Sequence, residues 1–344
     1  MNIEEIKNKL NTEDYNFLNT NPYLNNIILL GMGGSYAYGT NIETSDIDIR
    51  GIATNSADEI LLGTDFEQVV DVNTDTTIYS FNKMIDLLSK TNPNTIEILG
   101  LKPEHYLKIT DIGQMLLDRK EIFLSKIVVH SFGGYAYSQL RRLDNKSARA
   151  LNQTEKEHHI LNSILNAEYS FADRYNDYDI DMFKLYIDKA TNDELDNEIY
   201  IDFNLKHYPL RDYLGMWNEL KTVIRDYDKV SKRNKNAIEH NKLTKHAMHL
   251  VRLYMMAIDI LDKHEINTYR ENEHDLLMSI RNNNDFEWID ENHQPTEKFN
   301  KLVDDYQRKM EESAKRTTLP DKPDYNKINE LKKAVNKKII ENER

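Results

Sequence analysis

The feature that most constrains this chain is a relay near its N-terminus: an apolar run, a glycine-rich turn, then two closely spaced acids. Residues 25–32 read NNIILLGM, bounded by Asn and Gly, the pattern of a buried strand. Gly33-Gly34-Ser35 follows, and GGSYAYGTN reads as a turn with a short helix. About ten residues later comes SDIDIRGIAT, whose polar–apolar alternation has the period of a half-buried strand. Side chains at i and i+2 of a strand share a face, so Asp46 and Asp48 are predicted to point the same way, with Arg50 beside them. Like charges held this close repel, and a cation between them relieves the repulsion. Mg²⁺, with Mn²⁺ as a substitute, suits the position because it takes hard oxygen ligands from one or two carboxylates and from phosphates. Gly34 lets the backbone approach a phosphate, and the turn amides and Ser35 hydroxyl are donors for it. Alone, an Asp-x-Asp pair is most often solvated surface and Gly-Ser is only a turn. Their order and spacing between two strands give them chemical meaning.

Around this relay the first 110 residues or so mix strands and helices. Residues 1–20 read as a leading helix, and EQVVDVNTDTTIYS at 67–80 has β character. Phe81, Met84, Ile85 and Leu88 recur at helical spacing. Beyond that point the chain reads as nearly all helix, with candidates at 112–118, 126–143, 154–173, 212–228, 237–263 and 296–315. Tyr and Asp cluster at 169–179, and the two prolines of LPDKPD at 319–324 break the last helix pair. The expected boundary gives a domain over 1–115 and a larger helical domain over 116–344.

Composition narrows the function classes. The 344 residues contain no cysteine, which fits a reducing compartment. The charged N-terminus has no signal-like apolar stretch, and the longest apolar runs are far below the roughly 18 residues of a membrane span. A cytoplasmic protein with no membrane partner is therefore expected. The formal net charge is −13, which argues against a bulk nucleic-acid coat but not against an enzyme that holds phosphates through a metal ion. Residues 231–252 oppose the trend, with Lys232, Arg233, Lys235, Lys242, Lys245 and Arg252 against Glu239 alone. Lys245, His249 and Arg252 share one helical face, either an ordinary solvated face or one that meets phosphates. Lys83, on the helix after the 67–80 stretch, is either a surface lysine or a point charge for a triphosphate oxygen.

GGSYAYGTNIETSDIDIRGI resembles the signature of the DNA polymerase beta nucleotidyltransferase superfamily, which pairs Gly-Ser with a following Asp-x-Asp. It is most similar to the predicted nucleotidyltransferases associated with RNA ligases, whose segments correspond to Gly34–Gly39 and Ser45–Gly51. The stretches Asp75–Lys83, Asn92–Glu97, Lys245–Arg252 and Leu319–Asp324 resemble further blocks of that family. The resemblance implies an α+β fold, with a small mixed-sheet catalytic domain followed by a larger helical domain. It implies metal-dependent transfer of an NMP from an NTP to a hydroxyl acceptor, either an RNA end, a protein or a small molecule. Asp46 and Asp48 would be catalytic metal ligands, and Asp75 the third acid by its place in the family block. Asp71, in the apolar–acid–apolar run Val70-Asp71-Val72, competes for that role. Gly34, Ser35, Lys83 and Lys245 would contact the nucleotide. The alternative from another class is a non-catalytic nucleotide- or RNA-binding module of the same fold.

Overall fold

The computed structural model describes residues 1–148, 183–189, 191, 197–204, 206–231, 242–290 and 295–343. Five strands, β1 (Ile27–Met32), β2 (Ile49–Ala53), β3 (Gln68–Asp71), β4 (Thr76–Ser80) and β5 (Tyr106–Ile109), form one mixed sheet in the order β3-β4-β2-β1-β5. The described helices of five residues or more are α1 (Ile3–Lys9), α2 (Gly34–Tyr38), α3 (Ala57–Leu62), α4 (Phe81–Ser89), α5 (Asp111–Leu117) and α6 (Ile127–Ala148), then α7 (Leu210–Ser231), α8 (Lys242–Lys263), α9 (His274–Asn282), α10 (Glu297–Arg316) and α11 (Tyr325–Asn342). None is long and apolar enough to cross a membrane. The α+β character is as expected.

β1 is buried along its whole length, as its unbroken apolar run requires, because it pairs antiparallel with β2 on one side and β5 on the other. β4 runs parallel to β2, placing Thr76 opposite Ile49, and β3 closes a hairpin onto β4. Its buried residues alternate, Thr76, Ile78 and Ser80 pointing inward. Ser80 then caps α4 by accepting from the Lys83 amide, and Phe81, Met84, Ile85 and Leu88 form the buried face of that helix.

The chain divides into two compact units. The first comprises Met1–Gln139, Met248–Phe286 and Asn300–Arg344, so the C-terminal helices share a unit with the sheet. In it α11 buries Ile328, Leu331, Val335 and Ile339 on one face. Glu343, just past its end, accepts from the Asn26 side chain at 3.0 Å and the Ala57 amide at 2.8 Å. The proline-bearing link before it docks through Lys126 N to Pro320 O, 2.9 Å, and Asp324 N to Ile122 O, 3.0 Å. The second unit comprises Leu140–Ala247 and Glu287–Phe299.

Two expectations are corrected. The C-terminal part is largely helical, as expected, but it also holds β6 (Phe183–Lys189) and β7 (Asn197–Phe203), an antiparallel pair in the second unit. Phe183, Leu185 and Ile187 alternate with polar residues there, as do Ile199, Ile201 and Phe203, which is a period of two. The leading helix over 1–20 is also broken. After α1 come a 3₁₀ turn at Glu13–Tyr15 and a single helical turn at Phe17–Thr20, since Asn11, Thr12 and Asn16 favour turns over helix interiors. The expected helix at 154–173, the Tyr/Asp cluster at 169–179 and the basic residues at 232–241 lie outside the described residues.

Candidate active site

The turn after β1 is built so that an acid can lie directly on backbone. The Gly33 amide donates to the Asp48 carbonyl at 2.8 Å, extending the β1–β2 ladder by one rung beyond the strands. Gly34 has φ +53, a left-handed conformation that favours glycine. A Cβ there would fall 1.7 Å from Asp48 Oδ2, so the position has no room for any side chain while Asp48 keeps its place. α2 ends at Gly39, also left-handed at φ +72, and Thr40 N donates back to Ser35 O at 2.9 Å. Ser35 is half-buried in the first turn of that helix.

Asp46 and Asp48 occupy the extended lead into β2, which begins at Ile49. Asp48 and Asp75 stand side by side at the entrances of the parallel strands β2 and β4, where Ile49 N donates to Asp75 O at 3.2 Å. Asp75, at φ +45, is the last residue of the β3–β4 turn. Arg50 ties the two acids together. Its guanidinium lies 3.1 Å from Asp75 Oδ1 and 3.5 Å from Asp48 Oδ1, and donates to the Asp75 carbonyl at 2.6 Å. The Asp48 carboxyl is pushed up to about 7, chiefly by burial, then by its hydrogen bond to Asp75 and that residue's charge, with Arg50 pulling the other way.

Asp46 is exposed and lines a cavity of about 640 Å³ together with Ser45, Asp71 and Asp75. Among the described residues no group of three or more His, Cys, Asp or Glu is gathered closely enough to hold a metal ion. The structure thus joins Asp48 to Asp75 and sets Asp46 on the cavity that Asp75 also faces. Two hard oxygen donors, one held well above its ordinary range by burial and by the charge of the other, fit a divalent cation completed by substrate oxygens. Asp71 is engaged differently, its Oδ1 accepting from the Thr74 amide and hydroxyl, both at 2.9 Å. That is a turn-capping geometry.

Lys83 Nζ pairs with Glu67 at 2.7 Å. Lys245 is exposed on α8 and belongs to the second compact unit. His249 meets Tyr135 edge to face at 5.8 Å. Arg252 is buried, its guanidinium carbon 3.3 Å from the centroid of the Tyr38 ring. The predicted Lys245–His249–Arg252 face is therefore not one exposed basic surface.

Behind the turn lies a buried polar layer to which the motif reading gave no role. Tyr38, on α2, donates to Glu97 Oε2 at 2.5 Å beneath Arg252. Burial raises the Glu97 carboxyl, and its charge contributes to the upward shift of Asp48. Glu97 and Arg252 both ended sequence blocks already singled out, so their location was signalled although their pairing was not.

A family model, the RNA repair pathway DNA polymerase beta family (RlaP), matches residues 2–180. No match was found among curated proteins or among solved structures. The matched span covers the Gly34 turn, Asp46, Asp48, Arg50, Asp75 and Glu97. The chain belongs to the RNA repair pathway DNA polymerase beta family.

Proposed function

We propose that the protein transfers a nucleoside monophosphate from an NTP to a hydroxyl on RNA, releasing pyrophosphate. The observation that carries this reading is the convergence of Gly34, Asp48 and Asp75: a glycine turn on which the Asp48 carboxylate rests directly, beside a second acid whose charge opposes it. In this reading Asp48 and Asp75, with Asp46 from the adjoining cavity wall, hold Mg²⁺ or Mn²⁺. Such an ion, when bound, supplies neutralising charge for the phosphates and lowers the pKa of a hydroxyl.

The chain's own residues do the rest by placement. Gly34, lacking a Cβ, lets the Asp48 carboxylate lie against the turn, and the Ser35 hydroxyl and turn amides are the donors for phosphate oxygens. Arg50 holds Asp48 and Asp75 at the strand entrances and offsets part of their repulsion. The acceptor oxygen attacks the α-phosphorus, the bond from that phosphorus to the bridging oxygen breaks, and pyrophosphate leaves. The hydroxyl proton passes to the carboxylate cluster. Lys83 is a secondary phosphate contact, reached by exchanging Glu67 for a phosphate oxygen. The reading makes no use of Lys245. An RNA acceptor is favoured by the family, and the cysteine-free composition supports a reducing, cytoplasmic setting.

The test uses the full chain with Mg²⁺, RNA, and each NTP labelled in turn at the α- or γ-phosphate. Label should enter RNA from the α-position and never from the γ-position. Asp46→Asn and Asp48→Asn should fold and lose transfer. Transfer retained by both variants, or no transfer from any NTP, would favour a binding module instead.

A further inference from the structure

The glycine turn and the acids are close in sequence, yet a distant stretch of the same compact unit, residues 266–281, holds them from behind. Thr268 donates from its amide to Gly100 O at 3.2 Å and from its hydroxyl to Glu97 O at 2.7 Å. Arg270 N donates to Tyr38 O at 3.3 Å, at the end of α2. The stretch ends at Arg281 in the last turn of α9, whose side chain is buried. One guanidinium nitrogen donates to the Thr40 carbonyl, and the other to Ser45 Oγ at 3.2 Å. Ser45 Oγ in turn accepts from Ile42 N at 2.9 Å.

One side chain therefore grips both ends of the 40–45 loop, and its second partner immediately precedes Asp46. Burial lowers the Arg281 pKa, and both of its hydrogen-bond acceptors here are neutral. A buried guanidinium so placed is expensive in stability. Its planar fork, unlike an ammonium, can span two acceptors at fixed geometry. Arg281 also lies beyond the 2–180 span of the family match.

We propose that Arg281 is a positioning residue for the acid-bearing loop, holding the 40–45 segment that leads into Asp46 and Asp48 by clamping Thr40 and Ser45. This rests on the nucleotidyl-transfer reading, because a fixed loop matters to rate only if those acids act on substrate.

The test combines transfer kinetics with hydrogen exchange on the full chain, comparing wild type, Arg281→Met, Arg281→Lys and Ser45→Ala. Arg281→Met should lower kcat by about 10- to 100-fold, as misplaced catalytic groups do, with little change in KM for the NTP. Amides of 40–48 should exchange faster while those of β1 and β2 do not. Arg281→Lys should recover part of kcat, and Ser45→Ala should show a milder loss of the same kind. Wild-type kcat in Arg281→Met overturns the proposal, as does faster exchange spread evenly through the sheet. Should Arg281→Met fail to fold, Ser45→Ala decides, and unchanged kcat and exchange there overturn the clamp. Should wild type transfer nothing, the functional reading fails by itself. The exchange comparison then decides the clamp, with unchanged 40–48 protection overturning it.

Discussion

Asp48 meets three constraints at once: a ladder hydrogen bond from Gly33, a backbone surface at Gly34 with no room for a Cβ, and Asp75 beside it. Its carboxyl, pushed up to about 7, keeps its proton to higher pH in the folded chain than in the unfolded chain. The stability drawn from that difference is complete below the ordinary carboxylate range and is lost as pH rises through about 7. Asparagine has no proton to lose. In metal-free buffer, Asp48→Asn should therefore gain stability relative to wild type between pH 5 and pH 8, read as a growing difference between their urea midpoints. Using the difference cancels groups common to both proteins, such as His105, which burial lowers. Adding Mg²⁺ at pH 8 should raise the wild-type midpoint more than the variant's. At this scale the order of glycine turn and paired acids between two strands was legible, whereas the seating of Asp48 on Gly34, a position the sequence reading gave to phosphate, was not. The association of Asp75 with Asp48 was expected only through the family resemblance, since it depends on parallel register between β2 and β4, which no local pattern records. The sequence left Asp71 and Asp75 open; the structure places Asp71 in a turn cap and Asp75 beside Asp48.

Among the elements, most strands and helices followed from period and caps. Ser80 before α4 and the prolines between α10 and α11 mark boundaries with clear physical causes. β6 and β7 were missed because Asp, Lys and Tyr between their apolar residues resemble the surrounding polar chain. The partner of each helix was also hidden, since an apolar stripe reveals that a helix packs but not what it packs on. The close approach of Gly100 to the 266–281 stretch is such a case. A Cβ at Gly100 would fall 2.0 Å from the Ile266 carbonyl oxygen, which is backbone and cannot rotate away. Gly100→Ala should cost about 1–3 kcal/mol through this overpacking, measured by urea unfolding. It should also speed amide exchange at Thr268, whose amide bonds to Gly100.

For the whole molecule, the sheet-bearing unit is assembled from three separate lengths of chain, with the second unit built from the intervening segments. The loop between the Gly-Ser turn and the Asp-x-Asp pair is therefore held by a residue more than 200 positions away, as the hydrogen bond from Arg281 to the Thr40 carbonyl illustrates. The overall acidity is compatible with this reading because the site would bind phosphate through a cation and backbone donors rather than a basic surface. The most direct measurement compares pyrophosphate release and α-label incorporation into RNA for wild type, Asp48→Asn and Asp75→Asn, all shown to be folded. The account predicts equal amounts of pyrophosphate and incorporated label in wild type, and loss of both by at least about 100-fold in each variant. Wild-type transfer in either folded variant, or pyrophosphate released without label reaching an acceptor, would contradict it.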